Sequence, residues 1–363
     1  MQSLVFLLAL SVASASLIPR TSPNLPSSAF PKFHTLSQSD AEAGKDLPEG
    51  FNTSAPHTNA LNAAATVVTA AEAACSASPN MRFEWRQYSG SDRLAFIAGI
   101  KCLMNKPPSG NFPPSTSRYE DFVRLHQLDM PNVHGNPKFL AWHRYYLWTF
   151  EQVMRDECGF DRAWPWWDET LDAGKFAQSD MFTNTAYFGH LPPPDANGNG
   201  YCIESGAFAG LTCHIGPGSS NTPHCLSRAV DETQTAQCNT GFVNYCNSRT
   251  SYSDMESCAE GGPHAYGHDG IGAVMSDVSA SPSDPIFWMH HSFVDHGFRI
   301  WQNADVADRT TSINGNDHNG NPLTMDTMVS VGGIRPDVRI GDIMNTLGGV
   351  SIGGVPFCYR YTY

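Results

Sequence analysis

Six of the fourteen histidines in this 363-residue chain fall into two groups of three inside aromatic, helix-patterned segments, so the fold has to turn them toward common points. His126, His134 and His143 are spaced by eight and nine residues; His264, His268 and His291 are spaced by four and twenty-three. His264 and His268 stand at i and i+4, so on a helix they share one face and can aim at a single ion. A third imidazole from the segment carrying His290 and His291 would complete a three-nitrogen site. Neutral imidazole suits copper, zinc, iron or nickel, and an all-nitrogen set without carboxylate or thiolate favours copper or zinc. Buried imidazoles left unpaired are costly, which argues against two such groups being incidental.

The surrounding pattern is helical. Leu94, Phe96, Ile97 and Leu103 recur near 3.6-residue spacing and predict a helix over 91–104. Further helices are predicted over 60–74, 117–128 and 137–158, the last long, aromatic on one side and opened by Pro137. Helical character returns over 264–275 and 285–303. Residues 190–262 are dominated by Gly, Pro, Asn, Ser and Thr and hold six cysteines, which predicts a long disulfide-stapled loop region over a helical framework. After Asp305 the chain is Gly-rich with short strand-like runs. The expected fold is mainly α: an antiparallel four-helix bundle with metal ligands projecting inward, long stapled loops and short β segments.

Residues 1–15 carry an apolar run from Leu4 to Val12 and an Ala13-Ser14-Ala15 cleavage pattern, although no Lys or Arg precedes the run; they predict a secretory signal peptide. Residues 16–60 are rich in Ser, Pro, Asn and Thr and predict a flexible leader or pro-segment, leaving 61–363 as one domain. The even count of ten cysteines in an exported chain reads as disulfides, with the pairing open. Asn52-Thr53-Ser54 is a glycosylation sequon. No other stretch approaches the 18 apolar residues of a membrane span. A net charge of −13 argues against nucleic acid or an anionic membrane as partner and leaves a neutral small molecule unopposed. A secreted monomer is expected.

The wording around the histidines adds a family resemblance. The run from His134 through Pro137, Trp142 and His143 to Leu147 resembles the copper-A signature of the tyrosinase and catechol oxidase family. The run from Asp284 through Phe287, His290 and His291 to Asp295 resembles its copper-B signature. Arg82-Phe83-Glu84-Trp85-Arg86, Trp164-Pro165-Trp166-Trp167-Asp168 and the closing Tyr359-Arg360-Tyr361 are similar to further family motifs, so the likeness runs from about residue 75 to the end. It implies two copper ions, copper A on His126, His134 and His143 and copper B on His264, His268 and His291, with His290 packing beside them. Asp295 matches a position that orients neighbouring groups around metal-bound imidazole, and Glu260 is a candidate to hold a water for phenol deprotonation. The implied reaction is O₂-dependent oxidation of o-diphenols to o-quinones, with monophenol hydroxylation in some members. Two adjacent cuprous ions can deliver two electrons to O₂ together. The protein's share is to hold them close and to shape an apolar lid.

Departures from the pattern refine this. Asn132 stands where many fungal members have a thioether-forming cysteine. Ala265 and Asp269 follow the first two copper-B histidines, where Asn in several hydroxylating members aids phenol deprotonation; its absence leans toward diphenol oxidation. Val278 and Phe287 are candidates for the gate and the ring-packing wall, and His296 replaces a common Arg. The chain ends two residues after Tyr361, so no C-terminal plug is expected and activity should appear once copper is supplied. Two other readings compete: a haemocyanin-like O₂ carrier, which would not darken catechol, and a zinc hydrolase, which lacks the H-E-x-x-H motif. A cysteine-stapled scaffold without chemistry leaves the aromatic-histidine motifs unexplained. Cys213-His214 and His224-Cys225 fit disulfides better than a zinc knuckle.

Overall fold

A computed structural model describes residues 22–45 and 69–362. The signal segment, the sequon at Asn52 and most of the 60–74 helix lie outside the described residues; Ala70–Ala77 is helical. Five helices build the core: α1 (Gly90–Asn105), α2 (Arg118–Val133), α3 (Phe139–Cys158), α4 (Ala265–Ile271) and α5 (Phe287–Asn303). Their ends follow local chemistry. The Ser89 and Ser117 side chains accept the Asp92 and Glu120 N–H groups and cap α1 and α2. Gly159, left-handed at φ 65°, stops α3. Pro131 sits in the last turn of α2, and His134 follows in extended backbone, which turns its imidazole out of the helix line.

Helices α2, α3 and α5 pack in series with α1 against α2 and α3, and α4 meets α5 through the rings of His268, His290 and His291, giving the mainly helical core expected. Trp142, Trp148, Trp164 and Trp288 are fully buried between them, and Trp288 stacks on Phe150 at 3.6 Å. Three distant motifs meet in one parallel sheet, β1 (Asn80–Glu84) between β2 (Trp164–Trp166) and β3 (Tyr359–Tyr361), in the order β3-β1-β2. Arg82 pairs with Trp164 on one side and Tyr361 on the other.

The 190–262 region carries more structure than its composition predicts. Two short hairpin-like pairs join Tyr201–Cys202 to Ser227–Arg228 and Thr212–Cys213 to His224–Cys225. Helices Thr240–Asn247 and Tyr252–Ala259 follow, capped by Asn239 and Ser251. Eight-residue helices are two turns long, too short for an apolar period to show. The fully buried Arg228 grips both Asp284 oxygens at 2.7 and 2.8 Å and pins this region to the lead-in of α5.

One expectation is corrected. Four disulfides form, Cys75–Cys358, Cys102–Cys158, Cys202–Cys225 and Cys246–Cys258, while Cys213 and Cys238 remain buried thiols. Each free thiol faces a backbone carbonyl, Ser283 O and Pro263 O respectively, rather than another sulfur. In the described part of the expected leader or pro-segment, residues 22–45, Phe30, Phe33, Leu36 and Ala41 are buried against the domain. Three apolar side chains at three-residue spacing anchor a segment whose overall composition is polar. Among the described residues no helix is long and apolar enough to cross a membrane.

Candidate metal centre

The two histidine groups converge in the middle of the bundle. His126 comes from α2, His134 from the loop after it and His143 from α3, and one ring nitrogen of each lies within 4.8 Å of the others. His264 ends a π-turn (Glu260–His264), His268 lies on α4, and His290 and His291 open α5; these four meet the same criterion. The groups face each other, with the His143 and His291 rings stacked at 4.6 Å and 14°.

Backbone carbonyls set the tautomers. His126 Nδ1–H donates to Ser279 O at 2.8 Å, His143 to Phe139 O at 2.9 Å, His264 to Glu260 O at 2.9 Å and His268 to Met275 O at 2.8 Å. A nitrogen that donates from Nδ1 leaves Nε2 as a bare acceptor on neutral imidazole. Two of those acceptors face each other, His126 and His143 Nε2 at 3.4 Å, and the His268 acceptor lies 3.2 Å from His291 Nε2. Lone pairs facing at such distances repel unless a cation lies among them. Protonation is disfavoured, because burial pushes His126 down to about 4 and the other five proposed ligands well below the usual histidine range. His264 Nε2 and both ring nitrogens of His134 are buried with no hydrogen-bond partner, as is the Nδ1 of His291. The donor set therefore fits a pair of soft-to-borderline metal ions.

His290 differs from its neighbour. Its Nδ1–H donates to the fully buried Glu169 at 2.7 Å. A Cβ on Gly267 would come within 2.5 Å of the His290 ring and 3.0 Å of Glu169. Only a glycine between His264 and His268 lets the His290–Glu169 pair lie flat on α4.

Glu260 reaches both halves of the centre. Its Oε1 accepts the Gly135 N–H, next to His134, at 2.8 Å, and its carbonyl accepts from His264. Burial pushes the Glu260 carboxyl up to about 8, against the pull of the Gly135 amide, and raises the adjacent Glu256 as well. Asp295 sits elsewhere. Its carboxylate takes Arg144 Nε at 2.6 Å, Tyr359 and Tyr361 hydroxyls at 2.6 and 2.7 Å, and Arg82 at 3.3 Å; all are buried, and none is an imidazole. The orienting role expected at Asp295 is thus exerted on helix α5 as a whole, by tying it to α3 and to the sheet.

The remaining candidates also find places. Phe287 stacks on His291 at 4.0 Å and edges His126, so it is a wall of the centre. Val278 is half-buried and precedes Ser279, whose carbonyl holds His126. His296 stacks on Trp166 at 3.9 Å, and burial pushes its imidazole down to about 4, so the ring at this position is neutral. Sequence reasoning missed Phe139, which packs on both His143 and His264, and Phe33, which stacks on His268 at 4.2 Å. The one signal for Phe33 was an aromatic pair, Phe30 and Phe33, inside an otherwise polar stretch.

Comparison with known proteins follows the same line. The profile of the common central domain of tyrosinase matches residues 116–304. Tyrosinase P of Aspergillus terreus is 30% identical over 338 residues, covering 78% of this chain and 92% of that protein. The N-acetyl-6-hydroxytryptophan oxidase of Emericella nidulans is 28% identical over 369 residues, covering 83% of this chain and 98% of that protein. A point variant of a polyphenol oxidase from Thermothelomyces thermophila superposes with a TM-score of 0.70 at 24% identity, covering 80% of this chain and 93% of that one, and shares the fold.

Proposed function

The chain belongs to the tyrosinase family of copper oxidases, and from that premise we propose that it oxidises small o-diphenols to o-quinones outside the cell, with His126, His134 and His143 holding one copper ion and His264, His268 and His291 the other. The observation that carries this is the pair of facing, neutral imidazole triplets, with His143 stacked on His291. When bound, the copper pair supplies two-electron exchange between the phenol and O₂.

The chain's own residues do the rest. The carbonyls of Ser279, Phe139, Glu260 and Met275 hold four rings in the tautomer and orientation that presents Nε2 inward. Phe287 offers an apolar face on which a phenol ring packs, and it keeps water from the His126 and His291 side. Glu260, protonated near neutrality, ties the His134 loop to the His264 turn. Ala265 presents no polar group for taking a phenol proton, and the Asp269 carboxyl is buried toward Lys32 and the Phe33 amide. Both features favour substrates that already carry two hydroxyls. Four disulfides support an oxidising, extracellular compartment.

Rates for 4-methylcatechol and 4-methylphenol on copper-loaded protein, taken before and after limited proteolysis, test the preference. The catechol is expected to turn over at least about tenfold faster, a difference of ~1.4 kcal/mol in barrier; equal rates would remove the diphenol assignment. Darkening of catechol under air also separates an oxidase from an O₂ carrier.

Acid tolerance of copper uptake is a second expectation. Ligand imidazoles must be neutral to bind metal, and here burial holds them neutral well below the usual range, His126 to about 4. A lowered pKa weakens competition by protons, so apo protein should take up copper equally at pH 7.5 and pH 5.5. Uptake that falls with a midpoint near 6.5, where free histidine titrates, would contradict the buried, pre-formed site.

A further inference from the structure

The Phe33 ring occupies a place that a substrate ring needs. It stacks on His268 at 4.2 Å and 22°, meets His264 edge-on at 5.2 Å and reaches His134 at 5.9 Å. It thus touches imidazoles from both triplets and is only 9% exposed. An aromatic side chain lying parallel to one imidazole and edge-on to two others is placed as a phenol would be on its way to the metal pair.

The segment carrying it is held along its length. Pro31 O accepts the Val278 N–H at 2.8 Å, so the strap closes directly on the gate candidate. Leu36 N–H donates to Gly261 O at 2.6 Å, beside the π-turn that presents His264. The Asp269 carboxyl, one residue beyond His268, is raised by burial, which Lys32 and the Phe33 amide beside it only partly offset. Farther out, Pro23 O accepts Cys225 N–H, Asn24 donates to Gly200 O, Ser27 to Gly198 O, and Tyr245 OH donates to Ala41 O. Phe30 packs edge-on to His224, and Leu36 and Ala41 join Phe242, Cys246 and Cys258 in a small apolar cluster.

None of the four disulfides includes a residue before Cys75. Non-covalent contacts, and the chain linking Lys45 to Thr69, are what keep the strap in place. Such a segment is bound tightly while tethered, because the tether supplies a high effective concentration, and weakly once the tether is cut.

We propose that residues 22–45 are an intramolecular inhibitor that fills the phenol site with the Phe33 ring, so that the chain is latent until the link between Lys45 and Thr69 is cut or the strap is displaced. This rests on the triplets being the phenol site, and it replaces the expectation that the site stands open once copper is supplied. The inhibitor enters from the N-terminal side of the domain, in a stretch whose composition reads as a leader.

The test uses copper-loaded full-length protein carrying a specific protease site between Lys45 and Thr69, with benzoate as a non-reacting aromatic probe. Its affinity is measured by calorimetry in three forms: intact, cut and separated from the strap in mild urea, and intact Phe33→Ala. Benzoate is expected to bind at least about tenfold tighter to the cut form and to Phe33→Ala than to the intact chain, the gain from no longer displacing a tethered competitor. Adding a synthetic peptide of residues 22–45 to the cut form should weaken benzoate binding again, and the same peptide with Phe33→Ala should do so less. Equal affinity in all three forms overturns the proposal, whether or not catechol is oxidised. Tighter benzoate binding without catechol oxidation leaves the inhibitor standing and removes the substrate assignment instead.

Discussion

His268→Ala lowers catechol turnover by more than about 10³-fold, because several kcal/mol of barrier reduction by a metal ion is lost with its ligand. The argument is local. His268 reaches inward from α4 with Nδ1–H fixed on Met275 O, and its Nε2 stands 3.2 Å from that of His291. Removing it strips one ligand from a three-nitrogen set and leaves His264 and His291 to hold an ion alone. Copper measured by atomic absorption should fall from two ions per chain toward one. The fold should persist, since α4 loses one side-chain bond, His268 to Met275 O, and keeps its backbone hydrogen bonds and the packing of Gly267 on the His290–Glu169 pair. A copper-loaded His268→Ala protein that retains two ions and wild-type turnover would defeat the ligand assignment. His143→Ala gives the matching result on the other triplet and should deplete the other ion.

Asp295→Asn carries the largest expected effect on stability. The carboxylate neutralises Arg82 and Arg144, both fully buried, while Glu151 answers Arg82 from the other side at 2.9 Å. The Asp295 carboxyl lies below its usual range: burial opposes its charge, and the two guanidiniums more than offset that. An amide cannot balance them, and breaking a buried pair by removing one partner costs about 3–5 kcal/mol. The two tyrosine hydroxyls would also lose a charged acceptor. Urea unfolding with the disulfides intact should show that loss as a lower midpoint, and copper content of the folded fraction should stay at two ions. That second readout separates positioning from ligation. A midpoint within error of wild type would show that the cluster does not hold α5 to the sheet.

The helices α1, α2, α3 and α5 were legible because each is long enough to display its apolar period, and the first three carry a cap or stop of their own at Ser89, Ser117 and Gly159. The histidine grouping was partly legible for a different reason: the i, i+4 pair of His264 and His268 encodes a shared face without reference to the rest of the chain, and the structure brings that pair together with His290 and His291. The helices in 190–262 were not, being two turns long, too short for the face that buries Phe242 in one and Tyr252 and Met255 in the other to show as a period. Which cysteines would stay reduced was equally hidden, since pairing is a question of which sulfurs meet after folding.

By itself the sequence determined the kind of donor available: histidines in aromatic, helix-forming surroundings, in two groups along the chain. Tertiary structure alone decided that each group converges, that Arg82, Trp164 and Tyr361 are sheet neighbours, that Asp295 joins a buried ion cluster with Arg82 and Arg144, and that Phe33 lies on His268. The physical reason is range. Helix period, capping and i, i+4 geometry act within a few residues and are written locally. Strand register, charge pairing across more than 200 positions and the docking of a polar strap depend on surfaces that exist only once the bundle has closed.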